Sequence, residues 1–474
     1  MKWKFKTKPW EHQLKALSYL KDKNCAALYT DMGSGKTKIM IDLMRNRPDM
    51  KRVLIVAPLK ACKVWKDEIE KHGVASKFKV LYLCDMKIAE KVHEIDTKIQ
   101  WKRLDTTPKD ITTVIIINYE SVWRSPIGDK LLTKNVGIDT VMCDESHRIK
   151  SPSSKCSRYL AKIGNRVNNR FLITGTPIAE NPMDVYAQYR FCDPTIYGTN
   201  YTSFCECYQN VDIKKTQKVG YTCLIEGQPY KNLDDLKEKM FSIAFVTEST
   251  VKLPKRYSKT VRFPLGDKVT TMYKELVKEG LLELENGFVD VDAVIARIIR
   301  EQQLTSGFLP VEDEDGNVTL TQVSNRRMEC FKRVLKRIGD EPVVVFCKYK
   351  QDIANVHLAC KDIGLTSSEL SGSHDTLQEW MDGGTDVLVI QYTSGAESLT
   401  LTRARHTVYY SLTHSYAQYK QSKKRTHRPS QTRDCYLWNI VGTMKKGKTI
   451  DEKIMEALAS KQNIADYLMN RKDR

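Results

Sequence analysis

Gly33, Ser34, Gly35, Lys36 and Thr37 follow one another directly in this chain of 474 residues, and Asp144 and Glu145 form an acidic pair further along. Glycines let backbone N–H groups come close to an anion, a lysine neutralises phosphate charge, and a threonine hydroxyl can hold Mg2+. The segment Asp31-Met-Gly-Ser-Gly-Lys-Thr37 reads as a phosphate loop for a nucleoside triphosphate such as ATP, with Lys36 at the β- and γ-phosphates. The full pattern G-x-x-x-x-G-K-[ST] asks for glycine at position 30, where this chain has Thr30. A glycine-rich strand-to-helix turn without a ligand is the plain alternative.

The acidic pair supplies what hydrolysis would need. Asp144 is suited to coordinate Mg2+ together with Thr37, and Glu145 to orient and deprotonate an attacking water. Alone, an acidic pair after a strand is more often a helix N-cap. The phosphate loop upstream turns the reading towards catalysis.

Residues so far apart in sequence need a scaffold that gathers them on one edge. Apolar runs recur at Cys25–Tyr29, Val53–Ala57, Val80–Leu83, Val114–Ile117, Val141–Cys143 and Phe171–Ile173, with helical stretches between them. A second set follows at Val343–Cys347, Val387–Ile390, Val408–Leu412 and Tyr436–Val441, with a helical pattern at Gln351–Ile363. Such alternation predicts an α/β fold of two tandem lobes, each a parallel sheet flanked by helices, and ligands of such sheets bind at the carboxyl ends of the strands. Between the sets, amphipathic patterns such as Leu233–Met240 and Ala293–Ile299 predict inserted helices. The expected division is 1–255, with a helical insertion at about 180–255, and 256–474, with a helical insertion or connector at about 266–325. Within the latter, Glu312-Asp-Glu-Asp-Gly-Asn317 departs from a calcium loop in its glycine position and reads as an Asp-Gly turn between Phe308–Val311 and Val318–Leu320.

Composition narrows the class. Lys and Arg number 77 against 58 Asp and Glu, a formal charge of +19 that favours a polyanionic partner. The 13 cysteines include no C-x-x-C pair, and reduced thiols in an intracellular compartment are expected rather than a disulfide framework. Cys192, Cys205, Cys207 and Cys223 lie near one another but lack paired zinc spacings, so incidental thiols are the reading. No run approaches the ~18 apolar residues of a membrane span, and a cytoplasmic protein without a membrane partner is expected, in the host cytoplasm if viral.

The motifs together resemble superfamily 2 helicases and, within them, the Swi/Snf-type double-stranded DNA translocases, particularly compact phage-type members. Asp144-Glu-Ser-His-Arg-Ile-Lys150 looks like motif II with its family extension, and Leu172-Ile-Thr-Gly-Thr-Pro-Ile178 like motif III. Pro9-Trp-Glu-His-Gln13 is similar to the adenine-reading Q motif, Val53–Pro58 to motif Ia and Asn118-Tyr119-Glu120 to motif Ib. Val343–Tyr349 resembles motif IV, and Gln391-Tyr-Thr-Ser-Gly-Ala-Glu-Ser-Leu399 motif V with a less glycine-rich centre. Gln421-Ser-Lys-Lys-Arg425-Thr-His427-Arg428 carries the Q-x-x-x-R-x-x-R spacing of motif VI. Val251-Lys-Leu-Pro254 and Gln303–Phe308 also resemble family stretches.

This resemblance implies two RecA-like lobes that close on ATP. It implies Gln13 as an adenine contact and Arg425 and Arg428 as candidate arginine fingers, for which a solvated basic helix face is the alternative. It further implies His147, Thr174, Thr176 and Gln421 as coupling residues, and Pro58, Asn118, Tyr119, Lys348, Ser394 and Gly395 as nucleic-acid contacts. The implied partner is duplex or branched DNA, held through its backbone, with replication or recombination proteins as possible companions; backbone contacts admit RNA as well. The expected activity is ATP-dependent translocation along DNA with branch migration or fork remodelling. The alternatives are a strand-separating helicase and an ATP-switched nucleic-acid-binding protein. The lobes and insertions use nearly all of the chain, so no separate nuclease domain is expected.

Overall fold

The computed structural model describes residues 3–99, 111–133, 136–219, 222–247, 250–285, 291–312, 318–395 and 399–469. The chain divides into two compact units: residues 1–210, 230–252 and 464–474 form the first, and residues 211–229 and 253–463 the second.

The first unit is built on seven parallel strands: β1 (Cys25–Thr30), β2 (Arg52–Ala57), β3 (Phe78–Tyr82), β4 (Thr112–Asn118), β5 (Thr140–Asp144), β6 (Asn169–Thr174) and β7 (Ala244–Thr247). Their spatial order is β3-β4-β2-β5-β6-β1-β7. Side chains alternate between faces along a strand. Leu28, Val53, Ile55, Val114, Ile116, Phe171 and Ile173 accordingly join one core with Leu17, Ile39, Leu43 and Trp65 of the helices Glu11–Leu20, Lys36–Asn46 and Leu59–His72. The central strands are apolar throughout because both faces are covered.

The second unit carries six parallel strands: β8 (Arg256–Pro264), β11 (Val343–Cys347), β12 (Ser367–Leu370), β13 (Val387–Gln391), β14 (His406–Tyr409) and β15 (Cys435–Thr443), in the order β12-β13-β11-β14-β15-β8. Between β8 and β11 come the helices Asp267–Glu285 and Val291–Ser306, then an antiparallel pair, β9 (Phe308–Glu312) with β10 (Val318–Gln322). The predicted hairpin strands are present, whereas the Asp-Gly turn between them lies outside the described residues. A buried ion pair, Arg327 with Asp451, ties the helix Arg326–Ile338 to the helix Ile450–Met469.

The stretch 180–255, expected as a helical insertion, contains both helices and a strand. It holds the helices Asp184–Cys192, Tyr201–Tyr208 and Leu233–Phe241, but it also returns to the first sheet as β7, parallel to β1. Among the described residues no helix is long and apolar enough to cross a membrane.

Candidate active site

The strand order explains how distant motifs meet. β6 lies between β5 and β1, so the loop after β1, the end of β6 and the acidic pair after β5 share one carboxyl rim of the first sheet. That rim is where parallel α/β sheets bind their ligands.

In the loop after β1, Gly33 and Gly35 have φ of 81° and 76°, in the left-handed region that glycine tolerates best. A Cβ on Gly35 would also lie 2.4 Å from Gln13 Nε2, so this position has no room for a side chain. The first intrahelical bond of Lys36–Asn46 runs from Ile39 N–H to the Gly35 carbonyl at 3.1 Å. The N–H groups of Lys36, Thr37 and Lys38 precede it, which is the arrangement of an anion site at a helix N-terminus. Thr30, at the position of the missing glycine, has its own use: its hydroxyl bonds to Ser34 Oγ at 2.8 Å and closes the loop through side chains. Lys36 Nζ donates to the carbonyls of Thr30 at 3.2 Å and Asp31 at 3.4 Å, beside the loop it would serve.

Gln13 is turned inward. Its Nε2 donates to the Ser34 carbonyl at 3.0 Å and braces the phosphate loop, while its Oε1 accepts from Trp10 N–H at 2.9 Å at the start of the helix Glu11–Leu20. His12, not among the expected site residues, also reaches the loop: one ring nitrogen lies 2.8 Å from the Ser34 carbonyl, and the other lies 3.0 Å from Thr250 Oγ1.

At the end of β5, Asp144 is 9% exposed, with Oδ2 accepting from Trp65 Nε1 at 2.8 Å and Oδ1 from Glu145 N–H at 3.0 Å. Burial, then the neighbouring Glu145 charge, pushes the Asp144 carboxyl above the ordinary carboxylate range. Burial acts the same way on Glu145, but a hydrogen bond to His147 and the charge of Lys36 outweigh it and hold that carboxyl low. Two adjacent acids are thereby driven apart, the pattern expected when they have different tasks. Glu145 sits at φ 49° and ψ 52°, a left-handed conformation that costs a non-glycine residue about 1–3 kcal/mol.

That turn aims Glu145 at the end of β6. Thr174 Oγ1 donates to Glu145 Oε2 at 3.0 Å and accepts from Thr176 N–H at 3.0 Å. His147 Nδ1 lies 3.1 Å from Thr174 Oγ1, 3.3 Å from Thr176 Oγ1 and 3.3 Å from Glu145 Oε2. Glu145, His147, Thr174 and Thr176 thus form one hydrogen-bonded group, of which Gln421, on the second unit, is not a part. Gly175 lies over the phosphate loop: a Cβ there would be 3.2 Å from the Thr30 carbonyl and 3.6 Å from Lys36 Nζ.

Tyr119 follows β4. Its ring is 4% exposed and its hydroxyl donates to the Asp144 carbonyl at 2.7 Å, so it supports the acidic pair from within. Asn118, 6% exposed, donates to Glu120 at 2.8 Å, and Pro58 is buried at the end of β2.

In the second unit, Lys348 follows β11; burial pushes its ammonium down to about 8, and its N–H donates to Ser411 Oγ at 2.8 Å. Ser394 and Gly395 lie in the short helix Tyr392–Gly395, and residues 396–398 of the expected motif V lie outside the described ones. Gln421 and Arg425 are buried on the helix Tyr416–Thr426. Arg425, 2% exposed, donates to the Leu399 carbonyl at 3.3 Å, whereas Arg428 is partly exposed and donates to Thr400 Oγ1.

With this geometry in place, comparison with known families gives two matches: the SNF2-related domain over residues 12–306 and the helicase conserved C-terminal domain over residues 326–430. The chain belongs to the SNF2-related family. It is a Swi/Snf-type member of superfamily 2. The human DNA repair and recombination protein RAD54B is 23% identical to this SNF2-related chain over 94% of the chain and 52% of its own length. The chain therefore spans about half of that relative. Putative protein p41 of Acyrthosiphon pisum secondary endosymbiont phage 1 is 24% identical, with 98% of each chain covered. Among solved structures, a Sulfolobus solfataricus SWI2/SNF2 ATPase core in complex with dsDNA aligns with TM-score 0.42 and 17% identity, covering 98% of this chain and 94% of that one.

Proposed function

We propose that this SNF2-related ATPase is a DNA translocase that couples ATP hydrolysis to movement along duplex DNA, remodelling branches or forks that it meets. The observation that carries the reading is the hydrogen-bonded group of Glu145, His147, Thr174 and Thr176, which joins the acid beside the phosphate loop to the segment after β6. A change at Glu145 cannot leave that segment untouched, and such a link is what a motor requires and a passive binder does not.

Mg2+ and ATP fit the residues present. One carboxylate and one hydroxyl, from Asp144 and Thr37, are the small protein share that Mg2+ takes when phosphates and water complete its shell, and a buried acid with a raised pKa gains from a cation nearby. When bound, the pair supplies a phosphoanhydride to cleave and a metal charge that eases its cleavage. Lys36 neutralises phosphate charge, Glu145 accepts the proton of the attacking water, and Thr174 with His147 holds Glu145 in place. Arg425 and Arg428 of the second unit are the proposed donors of positive charge to the transferring phosphoryl group, Arg428 being the more accessible. Lys348, Ser394 and Gly395 are the proposed contacts to DNA phosphates. The names of the relatives support a place in DNA recombination or repair.

ATP turnover measured without nucleic acid and with single-stranded DNA, duplex DNA, a four-way junction and RNA, each at two salt concentrations, tests this. Strong stimulation by duplex or junction, weakening steeply with salt, is expected. Stimulation confined to single strands or RNA would replace the proposal with a conventional helicase.

A further inference from the structure

On the second sheet, residues that pair across neighbouring strands put their side chains on one face. His406 pairs with Tyr436, Tyr436 with Tyr257, and Trp438 with Lys259. The helix Arg326–Ile338 packs on these strands and ends in Arg337 and Ile338. Lys259, His406, Tyr436, Trp438 and the end of that helix line a cavity of about 230 Å³ that includes Glu341 and Arg405 but none of the motif residues.

The aromatic faces inside it are taken. Tyr436 lies between Tyr257, with centroids 5.4 Å apart, and His406, at 5.1 Å, both near-parallel to it. Trp438 carries Lys259 Nζ at 4.8 Å and the Arg337 guanidinium at 5.7 Å. Within the cavity the faces of Tyr436 and Trp438 are already covered, and the groups on offer are cationic heads. Arg405 is spent on Glu341, whose two oxygens it holds, with Nε at 2.6 Å. Lys259 and Arg337 are not: among the described residues neither has a carboxylate within ion-pair distance. A ring carries a quadrupole and no net charge, so cation–π contact holds a long side chain in place without cancelling its charge. Two fixed, uncompensated cations over one indole make a preorganised oxyanion site.

We propose that Lys259, Arg337 and Trp438 form a phosphate-binding site on the second unit, separate from the ATP site. The phosphate comes from a nucleic-acid backbone or from free phosphate. The first source rests on the DNA-translocase reading and the second does not.

The test compares the full chain with a Lys259→Gln/Arg337→Gln double variant. Both side chains are exposed, so the fold should be kept, and a Lys259→Arg/Arg337→Lys variant, which retains both charges, controls for packing. Duplex affinity is measured against salt, where each phosphate contact contributes about 0.9 to the slope of log affinity against log salt. Inorganic phosphate binding is followed by 31P NMR without nucleotide or DNA, the phosphate loop contributing equally to all three proteins. A slope lower by about 0.9 in the double variant, restored in the charge-retaining one, identifies a backbone phosphate. An unchanged slope with loss of bound inorganic phosphate identifies free phosphate, and this arm stands whether or not duplex stimulates turnover. If neither changes, or if the variant loses only polyglutamate binding, the proposal is overturned.

Discussion

Replacing Trp65 by Phe isolates one hydrogen bond at the centre of the candidate site. Trp65 is 1% exposed on the helix after β2, and its Nε1–H is 2.8 Å from Asp144 Oδ2. Phenylalanine keeps most of the buried ring and removes the donor. A hydrogen bond to a charged group is worth about 1.5–3 kcal/mol, roughly twice its value to a neutral one. Its loss therefore disfavours the ionised carboxylate by about 0.75–1.5 kcal/mol, which is roughly half to one pH unit. Asp144 would act ionised, as a metal ligand, and its pKa is already raised. Activity should fall as pH drops through that raised value, and in the Trp65→Phe variant this acid limb should move further up by about half to one unit. Duplex-stimulated ATP turnover at saturating Mg2+, measured from pH 5 to 8, reads the shift directly. A variant with lower turnover but an unmoved acid limb would refute the reasoning and reduce Trp65 to packing.

Glu145→Gln should lower turnover by about 10²–10⁴-fold, the usual share of a general base, while nucleotide still binds; equilibrium binding beside steady-state turnover checks both halves. Gly35→Ala places a methyl group against Gln13 at a φ of 76°, and should cost about 1–3 kcal/mol in denaturant unfolding and abolish nucleotide binding. Arg327→Met leaves Asp451 buried without its partner, and loss of one member of such a pair should destabilise the second unit by about 3–5 kcal/mol; unfolding that matches the parent chain would contradict it.

The sheets were legible where their strands are buried on both faces. Val343–Cys347 coincides with β11, and the runs read at β1, β2, β4, β5 and β6 differ from the observed strands by only a residue or two at their ends. Edge strands were not. β7, β8 and β12 have no counterpart among the apolar runs, and the run at β3, the fourth edge, starts two residues late and ends one residue late. β8 shows why: Arg256-Tyr-Ser-Lys-Thr-Val-Arg-Phe-Pro264 is largely solvent-facing and studded with cations, as an edge that must avoid pairing with another chain should be, so it offers no apolar run. In the candidate site, spacing could identify residue types but not partners. Nothing near Trp65 in sequence marks it, and the segment Pro9–Gln13 points to Gln13 and not to His12, because each contacts a residue brought close only by the fold. Asn118-Tyr119-Glu120 could not show which of its side chains turns inward, and the spacing of motif VI could not distinguish a buried Arg425 from an accessible Arg428.

The left-handed backbone at Glu145 bears on how this chain can change over generations. The conformation suits glycine better than any carboxylate, so a lineage judged only on resisting heat would drift towards Glu145→Gly and keep an intact, inert fold. Persistence of a glutamate there needs continuous selection on turnover. Laboratory libraries screened for thermal tolerance should yield this replacement repeatedly, whereas libraries screened for ATP consumption should never do so.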